Sequence, residues 1–159
     1  MINAYGSPQP GTALCFFKET RVKTVLTFGV FDMLHIGHIL LFRHAKELLP
    51  DEECKLVVAV QDGEYILKYK PGTEMVYTTE ERMFMVSSVR WVDEVVLYKD
   101  VDIDIRNFEF DIFVKGPDQN HVGFQRAVEW CSAHGKEVVT IPRTENISST
   151  LLRNYSKTR

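Results

Sequence analysis

A chain of 159 residues with 45% apolar content is long enough for one domain with a buried core. Its formal charge of −3, with lysine and arginine spread along the chain, excludes a basic stripe and with it nucleic acid as the main partner. No apolar run approaches the roughly 18 residues of a membrane helix, the N-terminus lacks a signal-peptide pattern, and Cys15, Cys54 and Cys131 are too scattered for a disulfide framework, so a soluble cytoplasmic protein with reduced thiols is expected.

Residues 1–21 begin with Gly, Ser and Pro and show no period, which reads as a flexible arm ahead of a domain over 22–159. β-rich runs then alternate with amphipathic ones. Strands are expected near Val22–Phe28, Lys55–Val60, Glu94–Leu97, Ile112–Lys115 and Glu137–Ile141, and helices near His38–Leu49, Thr79–Val89, His121–His134 and Ser149–Tyr155. The link between the third and fourth strands leaves room for a short helix. Thr78 and Glu81 have the spacing of a capping box, and Ser148 or Ser149 stands where the last helix needs its cap. Alternating strands and helices imply right-handed crossovers, hence an α/β fold with a Rossmann-like, doubly wound, five-stranded parallel sheet flanked by helices.

Such sheets collect ligands at the carboxyl ends of their strands. Three unusual stretches fall there: GVFDMLHIGH after the first strand, KGPDQNH after the fourth and PRTENISST after the fifth. Gly29 permits close backbone approach, and Gly37 lies beside His38 at a helix start, where free N–H groups favour phosphate. His35 and His38, three apart, can face one way and stabilise charge on an attacked phosphorus. An arbitrary H-x-x-H is also compatible with packing or a surface position, and a zinc pair would need a third ligand that the spacing does not supply. Arg143 followed by Thr144, Ser148, Ser149 and Thr150 has the ingredients of a phosphate cradle, or of an ordinary capped helix with a solvated arginine. The segment Gln61–Tyr77 reads as a long loop carrying Lys68 and Lys70, either a cationic lid or a solvated loop. Arg82 and Arg90, about two turns apart on the helix that follows, fall near one face and could reach one anion together, with surface salt bridges as the alternative.

TFGVFDMLHIGH and RTENISST resemble, in order and spacing, the two signatures of the cytidylyltransferase branch of nucleotidyltransferases, with bacterial glycerol-3-phosphate cytidylyltransferases the nearest group. The similarity runs from about Lys23 to Tyr155. It implies that His35, His38, Lys68 and Arg143 are catalytic. It also implies that Thr27, Phe28, Gly29, Gly116, Asp118, Thr144, Ile147 and Ser148 join His35, His38 and Arg143 around the nucleotide, and that Lys68, Lys70, Arg82 and Arg90 hold the acceptor phosphate. Pro117 replaces the first aspartate of the usual Gly-Asp-Asp turn, and Asn146 replaces a glycine of the second signature. The expectation is CMP transfer from CTP, with Mg²⁺, to a small phosphorylated alcohol by a homodimer, without nucleic acid or membrane. An ATP-using adenylyltransferase or a catalytically silent nucleotide-binding module are the alternatives.

Overall fold

The computed structural model describes residues 21–145, 147–148 and 151–152. The N-terminal arm through residue 20, Asn146 and most of the expected last helix lie outside the described residues. The elements in chain order are β1 (Lys23–Gly29), α1 (Ile36–Lys46), β2 (Cys54–Gln61), α2 (Gly63–Tyr69), α3 (Thr79–Ser87), β3 (Glu94–Tyr98), α4 (Val101–Asp104) with a 3₁₀ turn at Ile105–Asn107, β4 (Ile112–Lys115), α5 (Val122–Ala133) and β5 (Glu137–Thr140).

All five strands are parallel in the order β3-β2-β1-β4-β5. β1 pairs with β2 over its whole length, from Lys23 opposite Cys54 to Gly29 opposite Val60. The apolar runs Val25–Phe28 and Leu56–Val60 are buried throughout, as strands covered on both faces must be. Side chains alternate between two cores. Val25, Leu56, Val58, Val60, Ile112 and Val114 meet Phe42 and Ala45 of α1 and Val86 of α3. Leu26, Phe28, Val57, Ala59 and Phe113 meet Val101, Ile105 and the α5 residues Phe124, Ala127 and Cys131 on the other face. The order in which strands are added to the sheet reverses between β1 and β4, which leaves a crevice above their carboxyl ends.

The structure changes the expected elements in two places. Gly63–Tyr69, read as loop, is helical: Asp62 caps it by accepting from the backbone N–H of Glu64 (2.8 Å), and Ile66 is its buried anchor. The end of this segment is also tied down, because the buried Asp32 carboxylate accepts from the N–H groups of Val76 (3.1 Å) and Tyr77 (3.1 Å). A freely hinged Gln61–Tyr77 lid is therefore not what the chain builds. The first helix begins at Ile36, not His38, because His35 itself caps it, its Nδ1 accepting from Gly37 N–H at 3.1 Å. The Thr78–Glu81 capping box is present with both bonds made. Ser148 Oγ accepts from Leu151 N–H at 3.1 Å, the bond expected of a capping serine there.

Candidate active site

The segment that turns from β1 into α1 is under local strain. Phe31 and Met33 both sit at φ 54°, a left-handed conformation that side chains other than glycine rarely take. Phe31 gains a buried position from it, and its ring covers Gly29 so closely that a Cβ there would lie 2.6 Å from the ring. That contact, not a φ requirement, explains the glycine. The turn then delivers His35 and His38 to the mouth of the crevice. Their rings stack, with centroids 3.8 Å apart and planes 19° apart, and Phe31 meets His38 edge-on at 5.3 Å.

Both imidazoles are held neutral. Burial, and then the positive charge of Arg143, lower His35; burial, and then His35, push His38 down to about 3. His35 Nδ1 is an acceptor from Gly37 N–H, so its proton is on Nε2. A neutral N–H donor next to the N-terminus of α1 suits an anion that arrives with its own charge.

A cleft of about 930 Å³ opens above the carboxyl ends of the strands. Among the site residues expected from the sequence, Phe28, Gly29, His35, His38, Lys70, Gly116, Asp118, Arg143, Thr144, Ile147 and Ser148 line it. Arg143 reaches across to Asp118 at 3.7 Å, which links the segment after β5 to that after β4 in an exposed pair. Gly116 N–H donates to Gln119 Oε1 (2.8 Å), and Gln119 Nε2 donates to Phe28 O (2.7 Å), which fastens the β4 loop to the end of β1.

Four expected site residues stand elsewhere. Arg82 is fully buried, and its guanidinium donates to Val30 O (2.7 Å), Gln61 O (2.8 Å) and Thr79 Oγ1 (3.1 Å), so it joins the ends of β1 and β2 from below the cleft. Arg90 lies beyond the end of α3, near the start of β3, with its guanidinium 5.2 Å from the Trp91 ring centroid. The two cannot share an anion, because α3 ends at Ser87 and its Arg82 face is turned to the core. Lys68 is exposed on α2, its Nζ 5.4 Å from the Tyr69 ring centroid, and does not line the cleft. Thr27 is fully buried in β1 and does not line it either.

The far end of the cleft contains residues that sequence reasoning missed. Tyr65 on α2 donates its hydroxyl to Asp100 Oδ2 (2.6 Å), and Arg126 on α5 stands 3.5 Å from Asp102 Oδ2. The two carboxyls influence each other most: the hydrogen bond to Asp102 lowers Asp100, and the same contact raises Asp102. Lys99 and Lys70 also line the cleft. Among the described residues, no group of three or more His, Cys, Asp or Glu side chains could hold a metal ion.

At its switch point the doubly wound parallel sheet thus presents two stacked imidazoles at a helix N-terminus and an arginine to one cleft, a donor set suited to phosphate oxygens. The cytidylyltransferase-like family model matches residues 26–155, and the chain belongs to that family. It is 36% identical over 135 residues to the glycerol-3-phosphate cytidylyltransferase of Bacillus subtilis (strain 168), covering 83% of this chain and 95% of that protein. It is 37% identical over 131 residues to the FAD synthase of Thermococcus kodakarensis, covering 79% of this chain and 84% of that protein. Among solved structures, the lipopolysaccharide core biosynthesis protein from Thermoplasma volcanium GSS1 shares the fold, with a TM-score of 0.61 and 23% identity over 80% of this chain and 100% of that one. No helix among the described residues is long and apolar enough to cross a membrane.

Proposed function

We propose that the chain transfers CMP from CTP to a small phosphorylated alcohol of the glycerol 3-phosphate type, giving a CDP-alcohol and pyrophosphate. The observation that carries this is the stacked, neutral His35–His38 pair at the start of α1, facing the same cleft as Arg143. An acceptor phosphate oxygen attacks the α-phosphorus of CTP in line, the bond from that phosphorus to the bridging oxygen breaks, and pyrophosphate leaves. The acceptor phosphate has its second pKa near 6 and is already a nucleophile at neutral pH, so no general base is needed. What the protein supplies is position and charge. His35 Nε2–H, His38 and Arg143 donate to oxygens whose charge grows as the bond breaks, and Thr144 and the backbone of the Ser148-capped turn complete the nucleotide end. Lys70 and Lys99 offset the repulsion between the two anions.

Mg²⁺ would enter with the triphosphate, whose oxygens supply ligands that the described side chains do not gather. It would offset phosphate charge there. A homodimer in the cytoplasm is part of the same reading, and a monomer mass by light scattering at micromolar concentration would remove the dimer.

The similarity to an FAD synthase favours a second reading, adenylyl transfer from ATP. Pyrophosphate release tests both. Glycerol 3-phosphate, phosphocholine, phosphoethanolamine and heptose 1-phosphate are each tried against CTP and ATP. Fastest turnover of CTP with glycerol 3-phosphate is expected, and preference for ATP would move the chain to the second reading. Absence of release from every pairing would leave a silent nucleotide-binding module.

A further inference from the structure

Position 27 lies in the middle of β1, opposite Val58 of β2 and Val114 of β4. Those neighbours are fully buried valines, and valine has the shape of threonine without its hydroxyl. Thr27 is itself fully buried, yet its Oγ1 has no hydrogen-bond partner. An unpaired hydroxyl in a core is unfavourable enough that it needs a reason. Only one other buried side-chain atom on this face outside Arg82 is left in the same state among the described residues, and it is Nδ1 of His38.

Both atoms lie on the α1 side of the sheet, and in this structure they are not bonded to each other. Val25 is part of the core on the α1 side of the sheet, so strand alternation turns Thr27 and Gly29 to that side as well. The Phe31 ring lies over Gly29, and the same ring packs edge-on against His38. Thr27 is thus one strand repeat below the glycine that carries the aromatic support of His38. Chemically the two orphans are complementary: a hydroxyl can donate, and the unprotonated nitrogen of a neutral imidazole can accept.

We propose that Thr27 is a positioning residue whose hydroxyl donates to His38 Nδ1 when a triphosphate fills the cleft, holding the imidazole with its Nε2–H aimed at the phosphates. The bond fixes one tautomer out of two. Without it, the proton of neutral His38 can sit on the buried nitrogen and leave a lone pair facing an anion, which repels where it should donate. His38 is neutral in any case, because burial and His35 keep it so. The threonine decides which neutral form is present. This inference rests on the nucleotidyl-transfer reading for its effect on turnover, though not for its effect on the imidazole.

The test uses the full chain with Thr27→Val, which keeps shape and removes the donor, and Thr27→Ser, which keeps the donor. Thr27→Val is expected to fold with undiminished thermal stability and to lose about tenfold to a hundredfold in kcat, the usual size for removing an orienting partner of a functional imidazole, with little change in KM for CTP. Thr27→Ser should recover most of the loss. The ¹⁵N ring shifts of His38 in the Mg–CTP complex should show a proton on Nε2 and a hydrogen-bonded Nδ1 in the wild type and in Thr27→Ser, and a mixture of tautomers in Thr27→Val. Wild-type kcat in Thr27→Val, equal impairment in Thr27→Ser, or His38 shifts indifferent to the substitution would each overturn the proposal. A wild type that releases no pyrophosphate would instead defeat the proposed function, and the nitrogen shifts would still decide the role of Thr27.

Discussion

At the His35 end of the cleft, His35, His38, Arg143, Thr144 and Ser148 come from two short segments, one after β1 and one after β5. At the Asp100 end, Tyr65, Asp100, Asp102 and Arg126 come from α2, the β3–α4 connection, α4 and α5, and they are bound chiefly to one another. At the first end the one ion pair among the described residues, Arg143 with Asp118, is exposed and long at 3.7 Å, so Arg143 can turn to triphosphate oxygens at little cost. At the second, a ligand must displace or extend existing side-chain pairs, so its identity matters more. One end can therefore serve any member of a nucleotidyl-transfer family, while the other is free to differ between relatives that act on different acceptors. The comparison is tested by substitutions whose effects should sort by end.

The largest effect is expected at the histidine pair. His35→Ala and His38→Ala should each lower kcat by about 10²-fold or more, since a donor aimed at developing charge is worth roughly 3 kcal/mol, while circular dichroism stays close to wild type and His35→Ala loses only the roughly 1 kcal/mol of the α1 cap. Steady-state kinetics with folded variants check it, and wild-type rates in the double variant would make the pair structural. Arg82 should behave in the opposite way. Arg82→Ala leaves Val30 O and Gln61 O without their donor and should cost about 3 kcal/mol in chemical denaturation, whereas Arg90→Ala, on the surface, should stay within about 0.5 kcal/mol.

These two arginines show what the sequence conveys and what it withholds. Eight residues on a helix are close to two turns, so a shared face was a sound expectation from spacing. It fails because α3 stops at Ser87 and because Arg82 faces inward, and neither fact has a local signature. The five strands were legible because unbroken β-branched runs such as KLVVAV have few other destinations, and the His35 end was legible because its residues are contiguous. α2 was missed since seven residues make only two turns, too few for a period to show against Gly63 and the lysines. The Asp100 end was missed because its bonds join residues 35 and 24 positions apart. Nothing in a single sequence marks such pairs.

A smaller effect follows from the neutrality of His38. Its pKa in the folded chain, about 3, lies below the 6.5 of the unfolded chain, so below pH 6.5 the unfolded state binds a proton that the native state does not. Stability should therefore fall as pH drops from 6.5 toward 3, by up to about 1.4 kcal/mol per unit from this residue, or about 2 kcal/mol between pH 6.5 and 5. Urea denaturation in a phosphate-free buffer checks it against His38→Gln, in which this part of the slope should vanish. An unchanged slope would mean that His38 is charged in the native state.

The smallest effect separates the two lysines and sharpens the boundary between the ends. Lys70 lines the cleft and Lys68 does not, so Lys70→Ala should lower kcat/KM for the acceptor about tenfold, roughly 1.4 kcal/mol, with CTP affinity little changed. Lys68→Ala should stay near wild type. Equal losses in both would mean that α2 turns on binding and brings Lys68 to the phosphates.

The account's central claim is that the cleft brings an acceptor phosphate to the α-phosphorus of a bound nucleoside triphosphate. CTP labelled with ³²P at the α position, incubated with Mg²⁺, glycerol 3-phosphate and the wild-type chain, reports on this directly. The label should appear in a diphosphate-linked product that carries the acceptor, and the released pyrophosphate should be unlabelled. Label that stays in CTP while its γ-phosphate is lost, or that appears in free CMP with the acceptor unchanged, would contradict the account.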